Sequence, residues 1–161
     1  MTNPAADSLH VVLFEPEIPP NTGNVIRLCA NTGAQLHLVG PLGFRLEDRL
    51  LRRAGLDYHE WVTLTVHPSL EDFTCQVAPR RLWAFTTHAT RRYDEPDYQP
   101  GDALLFGPES RGLPKAWLDA HGAERCLRIP MRPGNRSLNL SNAVAIVVFE
   151  AWRQRGFAGG L

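Results

Sequence analysis

The chain has 161 residues, of which 43% are hydrophobic and 21% charged, the length and composition of one ordinary globular domain. These values exclude a disordered or fibrous chain. Seventeen basic side chains balance seventeen acidic ones, so no overall field draws the molecule to nucleic acid or membrane, and anion binding requires local clustering.

Signals for export or for a membrane are missing from the sequence. It contains no run of about 18 apolar residues, and its first residues, M-T-N-P-A-A-D-S, show no basic region followed by an apolar core. The three cysteines, Cys29, Cys75 and Cys126, are widely spaced and fit neither a disulfide framework nor a zinc site. We interpret them as buried small hydrophobes and expect a cytoplasmic protein.

The first half of the chain alternates short apolar runs with helical segments. Leu9 to Phe14 predicts a buried strand that the prolines of E-P-E-I-P-P end. A helix capped by Asn21 or Thr22 follows and ends at Gly33. The next predicted elements are a strand over Q-L-H-L-V-G, a short polar helix from Glu47 to Arg53, and a strand from Trp61 to Val66.

The second half continues this alternation. Its predicted elements are a helix from Leu70 to Val77, strands over Leu82 to Thr86 and Asp102 to Gly107, and a long helix from about Leu140 to Gln154. No linker or repeat divides the chain. The sequence therefore predicts a single α/β domain, residues 1–161, with helices flanking a largely parallel sheet.

The last predicted helix is unusually apolar. Ala143 through Phe149 are seven apolar residues in succession, and Trp152 extends the pattern. A helix that is apolar on nearly every side must be buried on nearly every side. It either packs against a second subunit, which predicts a homodimer, or lies centrally within the monomer.

Several common catalytic motifs are absent. The first turn has no G-x-G-x-x-G, and G-P-E-S-R-G has the glycine spacing of a P-loop but carries Leu113 in the place of the lysine. The chain has no G-x-S-x-G or H-E-x-x-H. The six histidines are scattered, and we interpret each as a surface or hydrogen-bonded core residue.

Three polar segments rich in glycine and proline follow predicted strands. They span Glu15 to Arg27, Phe106 to Pro114, and Ile129 to Val144. Ligands bind beyond the carboxyl ends of parallel strands, and exposed backbone groups in such loops can bind the edge of a heterocycle. Each loop alone could be an ordinary turn, but the three together predict a binding site.

Arginine accounts for sixteen of the seventeen basic residues. Compositional bias of the source genome explains this as readily as phosphate binding, for which arginine forks are suited. Between Arg125 and Phe149 the chain has four arginines and no acidic residue. A second cluster consists of Arg45, Arg49, Arg52 and Arg53.

At the three polar segments the sequence resembles the SPOUT superfamily of knotted methyltransferases, specifically its SpoU-like branch of RNA ribose 2′-O-methyltransferases. The elements that carry the resemblance are N-x-G-N-x-x-R, F-G-x-E-x-x-G-L and I-P-M…S-L-N-L-S-N-A, with R-R-A-G-L-D-Y-H-E between the first two. They occur in the family's order, and the resemblance covers roughly residues 9–156.

The resemblance implies a C-terminal trefoil knot, with the knot and the cofactor cleft at about residues 80–156. It implies S-adenosylmethionine as methyl donor, S-adenosylhomocysteine as product, and no metal. The implied acceptor is the ribose 2′-hydroxyl of the wobble nucleotide, C or modified U at position 34, in leucine tRNAs. It also implies a homodimer in which the first motif of one subunit lies near the cofactor of the other. The implied RNA partner is the anticodon arm of tRNA, and no membrane partner is implied.

The resemblance further implies roles for individual residues. Arg27 matches the arginine needed for catalysis, and Asn21, Ser137 and Asn139 match polar positions around the reacting ribose. Matched cofactor-binding positions are Phe85, Gly107, Glu109, Ile129, Met131, Ser137 and Leu138. The predicted RNA contacts are Arg27, Arg132 and Arg136.

Several roles have two interpretations at this point. Arg27 acts either as a general base or, because the guanidinium pKa is about 12 or higher, as a cation that polarises the hydroxyl. Glu109 either contacts the cofactor or binds loop N–H groups, and Arg132 and Arg136 either bind phosphate or lie on a solvated loop. The alternative functions are methylation of another tRNA position or of rRNA, and RNA binding without catalysis.

Overall fold

Seven strands form one sheet in which every pairing is parallel, in a computed structural model that describes residues 8–47 and 64–161. The strands are β1 (His10–Phe14), β2 (Gln35–Val39), β3 (Leu64–His67), β4 (Leu82–Phe85), β5 (Arg91–Arg92), β6 (Ala103–Phe106) and β7 (Cys126–Arg128). Their order across the sheet is β3-β2-β1-β6-β4-β7-β5. The predicted α/β class with a parallel sheet is confirmed.

Both faces of the sheet are covered, as the continuous apolar runs of its strands require. The helices are α1 (Pro19–Thr32), α2 (Leu70–Val77), α3 (Lys115–His121) and α4 (Leu140–Gln154), with a 3₁₀ turn at Ala123–Arg125. Alternate residues of the strands point to α1 and α4 on one face, and to α2 and α3 on the other. The central strands β1 and β6 therefore lie between two apolar cores.

Helix α1 begins two residues before the predicted cap, so the assignment of Asn21 or Thr22 as N-cap was wrong. Its first residues are Pro19 and Pro20, and the cap position is Ile18. Proline suits the first helical positions because its fixed φ is helical and its missing N–H has no helical partner there. The end at Gly33 is as predicted, with φ of 81° in the left-handed region that glycine adopts without strain.

Helices α2 and α4 have the predicted bounds. Ser69 caps α2 by accepting a hydrogen bond from the Asp72 N–H at 3.1 Å. Helix α4 buries one face, including Val144, Val147 and Val148, while Phe149 on the other side is 44% exposed. The apolar sequence of α4 thus exceeds what the monomer buries.

The remaining expectations have mixed outcomes. The strand predicted to end at Val66 ends at His67. Residues 48–63 lie outside the described ranges, and they include the first three residues of this predicted strand, nearly all of the helix predicted from Glu47 to Arg53, and most of the second arginine cluster. Strands β5 and β7 and helix α3 were not predicted, because they have two, three and seven residues and show no periodicity. Cys75 is exposed, which corrects its interpretation as buried, whereas Cys29 and Cys126 are buried.

The last strand lies between two strands that precede it in the chain. Strand β7 pairs with β4 on one side and with β5 on the other. From β7 the chain continues to α4, whose Gln154 side chain bonds the backbone of Tyr98 and Pro96 at 2.9 and 3.1 Å. The end of α4 is thereby joined to the segment that connects β5 and β6. Within the described ranges, no helix has the length and apolarity needed to cross a membrane.

Candidate active site

Four neighbouring strands, β1, β6, β4 and β7, end at one edge of the sheet, and the loops that follow them enclose a cavity of about 540 Å³. Its walls come from residues 18–21, 85–88, 106–113 and 129–143. The predicted site residues that line it are Asn21, Phe85, Gly107, Glu109, Ile129, Met131, Arg136, Ser137, Leu138 and Asn139. The three polar loops therefore meet, although Asn21 lies outside the expected cleft of residues 80–156.

The inner wall of the cavity is aromatic and aliphatic. Phe85 at the end of β4 stacks on Phe106 at the end of β6, with ring centroids 4.7 Å apart and planes 9° from parallel. Leu113 and Ile129 also line this wall. These side chains, together with exposed loop backbone, suit a flat heterocycle bound by its faces and edges.

The loop after β6, residues 107–113, folds back on its own backbone. A Cβ at Gly107 would lie 2.4 Å from the Leu113 nitrogen and 2.5 Å from the Gly112 carbonyl carbon. The Gly112 N–H donates to the Pro108 carbonyl at 2.9 Å, and Gly112 itself has φ of 67°. Only glycine fits position 107, so the sequence specifies a tight, closed loop here.

Glu109, at the centre of this loop, binds the start of α1. Its carboxylate accepts hydrogen bonds from the N–H groups of Glu17 at 2.9 Å and Ile18 at 2.6 Å. It also accepts a longer one, 3.3 Å, from the Asn21 amide. A carboxylate next to a helix N-terminus is favoured by the helix dipole. The geometry agrees with the interpretation of Glu109 as a ligand of loop N–H groups, while its side chain still borders the cavity.

Two further acidic residues connect the same loops. The Glu17 carboxylate accepts hydrogen bonds from the Ser110 N–H at 2.9 Å and hydroxyl at 2.7 Å, and these bonds lower the pKa of Glu17, the backbone bond most. Glu15 forms an ion pair with Arg111 at 2.9 Å. The loop after β1 and the loop after β6 therefore each supply carboxylates that bind groups of the other loop.

Asn139 joins the third loop to the other two. Its side-chain oxygen caps α4 by accepting from the Ser141 and Asn142 N–H groups at 2.9 and 3.4 Å. Its amide donates to the Asn21 side-chain oxygen at 3.0 Å. Asn139, Asn21 and Glu109 thus form a continuous chain of side-chain hydrogen bonds among residues that line the cavity.

The predicted residues near the mouth of the cavity are exposed. Ser137 and Arg136 are exposed, Leu138 is 40% exposed, and Met131 is half-buried. Arg27 and Arg132 do not line the cavity. Arg27 is exposed on α1, and Arg132 lies in the loop before α4, where its carbonyl accepts from the Asn135 amide at 3.1 Å.

The loop after β4 also contributes residues that were not predicted. Thr86, Thr87 and His88 line the cavity, and the His88 N–H donates to the Thr86 hydroxyl at 3.2 Å. Ile18, the residue before α1, is a further lining residue and is 45% exposed. The signal available in the sequence was position alone, because residues that follow neighbouring parallel strands reach the same edge.

Apart from His88, the histidines within the described ranges do not line the cavity. Among the described residues no group of three or more histidine, cysteine or acidic side chains is arranged to hold a metal ion. His10, His37 and His67 form a buried row across β1, β2 and β3, with ring nitrogens 3.0 and 2.9 Å apart. His121 bonds the Leu82 carbonyl at 2.8 Å.

Comparison with known proteins identifies the relatives of this architecture. Residues 8–149, which include every residue lining the cavity, match the SpoU rRNA methylase family. A protein from Burkholderia pseudomallei (strain 1106a), named tRNA (cytidine(34)-2′-O)-methyltransferase, is 60% identical over 153 residues, or 94% of this chain and 98% of that protein.

Two solved structures extend the comparison. One, described as giving structural insights into the 2-OH methylation of C/U34 on tRNA, is 46% identical, covers 93% of this chain and 92% of its own, and has a TM-score of 0.84. The other is the SpoU methyltransferase AviRb from Streptomyces viridochromogenes in complex with the cofactor AdoMet. It is 26% identical, with 97% of this chain and 60% of that chain covered and a TM-score of 0.79.

Proposed function

The chain belongs to the SpoU rRNA methylase family and is a methyltransferase, and from this premise we propose that it methylates the ribose 2′-hydroxyl of nucleotide 34 in tRNA. The observation that carries the proposal is the 60% identity, over nearly the full length of both proteins, to a tRNA (cytidine(34)-2′-O)-methyltransferase. The finer proposal, from the resemblance, is that the substrates are leucine tRNAs with C or modified U at position 34. Such a reaction agrees with the cytoplasmic location expected from the sequence.

We also propose S-adenosylmethionine as the donor. The cavity fits it because its volume of about 540 Å³ lies within the range of small-molecule sites, and its walls combine stacked phenyl rings with loop backbone. Phe85, Gly107, Ile129, Met131, Ser137 and Leu138 would hold it. When bound, its sulfonium supplies a methyl group that is already activated for transfer. The resemblance extends the proposal to the C-terminal knot, which stays a prediction.

The chain's own residues then have to orient the ribose and favour loss of the hydroxyl proton. Asn21 and Asn139 hold each other in place by a side-chain hydrogen bond, and both line the cavity together with Ser137. An Arg27 guanidinium near the 2′-oxygen stabilises a developing alkoxide, and it cannot serve readily as a base because guanidinium groups stay protonated in proteins. We therefore propose that Arg27 acts as a cation.

The position of Arg27 supports a site shared between two subunits. Arg27 is exposed and does not line the cavity of its own chain. Helix α4 leaves Phe149 44% exposed, with Ile146 and Trp152 half-buried on the same side. We propose that this face forms a homodimer interface and that Arg27 of one subunit serves the cavity of the other.

The reaction is tested by transfer of labelled methyl from S-adenosylmethionine to tRNA from a strain that lacks ribose methylation at position 34. We expect label at the 2′-oxygen of position 34, in leucine tRNAs and not in other tRNAs with a pyrimidine there. Label at another position or in rRNA would support the alternative substrates. Folded protein that neither transfers methyl nor binds the cofactor would contradict the proposal and favour RNA binding without catalysis.

Arg27→Ala tests the catalytic arginine, with an expected fall in kcat of about 100- to 1,000-fold. The matched control is Arg80→Ala, an exposed arginine before β4 at the opposite edge of the sheet, which should keep wild-type kcat. Arg27→Lys keeps the charge but not the fork. Full activity of Arg27→Lys would contradict a requirement for the guanidinium shape.

Mixed dimers test whether the site is shared. Arg27→Ala and Ser137→Ala subunits are each expected to be inactive as homodimers. When they are mixed, one cavity per dimer combines an intact Ser137 with an intact Arg27 from its partner, so about half the heterodimer sites should regain activity. No recovery in heterodimers confirmed by mass would show that Arg27 acts within its own chain.

Arg132 and Arg136 are proposed to contact phosphates of the anticodon arm. Each replacement by alanine should weaken tRNA binding and reduce the slope of log affinity against log salt by about 1. Cofactor affinity should be unchanged for Arg132→Ala. An unaltered slope in both variants would favour the alternative, a solvated loop.

A further inference from the structure

The strongest unexplained feature of the cavity edge is the reciprocal tie between Glu17 and the loop after β6. The Glu17 carboxylate receives both the N–H and the hydroxyl of Ser110, at 2.9 and 2.7 Å, and the Glu17 N–H is donated to Glu109 at 2.9 Å. Glu17 itself does not line the cavity. Its interactions therefore connect two loops without requiring contact with a ligand.

The loop that Glu17 holds, residues 107–113, is closed on itself. Its ends are in contact, because a Cβ at Gly107 would approach the Leu113 nitrogen to 2.4 Å, and the Gly112 N–H bonds the Pro108 carbonyl at 2.9 Å. Ser110 lies at the outer turn of this closed loop. A hydrogen bond at Ser110 thus fixes the placement of all the cavity wall that residues 107–113 supply.

On the other side, Glu17 lies two residues before α1. This helix carries Asn21 in its first turn and Arg27 about two turns further, roughly 12 Å along the axis from Pro19 at about 1.5 Å per residue. Asn21, proposed to orient the ribose, therefore sits on the element that Glu17 joins to the cavity wall of the same chain, while Arg27 on this helix is proposed to serve the cavity of the other subunit.

We propose that Glu17 is a positioning residue that fixes the spacing between the cavity wall of residues 107–113 and the start of the helix that carries Asn21. This inference rests on the proposed methyltransferase function. Because aligned reactants are very sensitive to displacement, a loosened tie lowers the rate of the bound complex more than it lowers affinity for either ligand. Glu109 holds the loop from the other direction, so loss of Glu17 loosens the spacing without opening the cavity.

Steady-state kinetics of Glu17→Ala provide the first test. We expect kcat to fall by about 10-fold or more, with the KM for S-adenosylmethionine and its Kd within about threefold of wild type. Glu17→Gln keeps one acceptor oxygen for the Ser110 N–H and should recover part of kcat. The control is Glu71→Ala, which removes an exposed glutamate from the first turn of α2 and should leave kcat unchanged.

A double-mutant cycle with Ser110→Ala tests the assigned partner. If the two side chains act through their mutual bond, the loss in the double variant is smaller than the product of the two single losses. Multiplying losses would show that Glu17 acts elsewhere and would overturn the proposal. A kcat of Glu17→Ala within twofold of wild type would overturn it as well.

Amide hydrogen exchange separates this proposal from the proposed function, since it requires no turnover. In wild-type protein, S-adenosylhomocysteine should slow exchange both at Ser110 and in the first turn of α1, whereas in Glu17→Ala the response in α1 should be clearly smaller while Gly112 stays protected. An α1 response identical in both proteins would overturn the tie even if methyl transfer were observed. Absence of methyl transfer with the expected exchange pattern would instead contradict the proposed reaction alone.

Discussion

Polar side chains are concentrated both at the cavity edge and in the interior of the β1–β2–β3 half of the sheet, but their hydrogen-bond partners differ. At the cavity edge, Glu109 and Asn139 bond backbone N–H groups at the starts of two helices. In the interior, His10, His37 and His67 bond one another across three strands. The first arrangement leaves charged and amide groups at a solvent-accessible boundary, whereas the second works only while the imidazoles are neutral.

The interior row is held in an apolar setting. The His37 ring contacts Phe73 of α2 at 4.9 Å between centroids, and none of the three histidines is more than 6% exposed. Burial, followed by the charges that His10 and His67 would carry, lowers the pKa of His37 from 6.5 to about 3. Burial also lowers the pKa values of His10 and His67. The row is therefore a pH-sensitive part of the core.

The largest effect is expected from Gly107→Ala at the cavity edge. The new Cβ would lie 2.4 Å from the Leu113 nitrogen, so the loop must open. We expect a loss of about 1–3 kcal/mol in the free energy of unfolding and about 100-fold in methyl transfer. Denaturant unfolding and methyl-transfer kinetics measure the two effects.

The control for this variant lies in the same loop. Gly112 has φ of 67°, but a Cβ at this position would have no atom within 4 Å, so the Cβ of Gly112→Asn meets no steric obstacle, and asparagine tolerates the left-handed region better than most residues. It should cost about 1 kcal/mol, the low end for a non-glycine residue in this conformation. Equal losses in Gly107→Ala and Gly112→Asn would show that backbone conformation, not close approach, controls the loop.

These two regions also differ in how far the sequence predicted them. The cavity loops were recognised because each follows a strand and carries glycine, proline and asparagine, and the family resemblance named ten of the lining residues. Their mutual bonds, such as Glu17 with Ser110, were not predictable because the partners are 93 residues apart. The roles assigned to individual site residues stay predictions.

The histidine row was not predictable because it depends on the register between neighbouring strands, which the sequence does not reveal. Val12 of β1 is opposite His37, and Val39 of β2 is opposite His67, so each histidine lies two residues further along than its neighbour and on the same face. Taken singly, each was interpreted as a surface or a hydrogen-bonded core residue, and the structure places all three in the core. By contrast, α2 and α4 were predicted to the residue because a cap and an uninterrupted apolar pattern define them locally.

The second-largest effect is a loss of stability at mildly acidic pH. Above pH 6.5 His37 is neutral in both states. As pH falls from 6.5 towards 3, the unfolded chain binds a proton that the folded chain excludes, so stability decreases. His37 alone should remove about 2 kcal/mol between pH 7 and pH 5, and His10 and His67 act in the same direction. Urea unfolding at a series of pH values measures this slope.

His37→Gln assigns the slope to the row. Glutamine keeps a donor and an acceptor between the neighbouring rings but does not titrate, so we expect lower stability at pH 7 and a clearly shallower decrease towards pH 5. His88→Gln, which changes an exposed histidine, should retain the wild-type slope. A wild-type slope in His37→Gln would locate the pH sensitivity outside the row.

A smaller effect is expected at Asn139, where two functions can be separated. Asn139→Ala removes the cap of α4 and should cost about 1 kcal/mol. Asn139→Asp retains the capping oxygen but cannot donate to Asn21, so it should unfold like wild type while methyl transfer falls. Thermal denaturation and methyl-transfer kinetics are measured on both. If Asn139→Asp is fully active, the Asn139–Asn21 bond has no part in orienting the ribose.

The smallest effect tests whether every bond at the cavity edge contributes equally. The Glu15–Arg111 pair is 2.9 Å long, but the Arg111 side chain is 60% exposed, so solvent and salt screen the attraction. Arg111→Gln should change the free energy of unfolding by less than about 0.5 kcal/mol, and this small difference should vanish in high salt. Denaturant unfolding at low and high salt measures both quantities. A larger, salt-independent loss would mean that the ion pair, and not the bonds of carboxylates to backbone N–H groups, holds the two loops together.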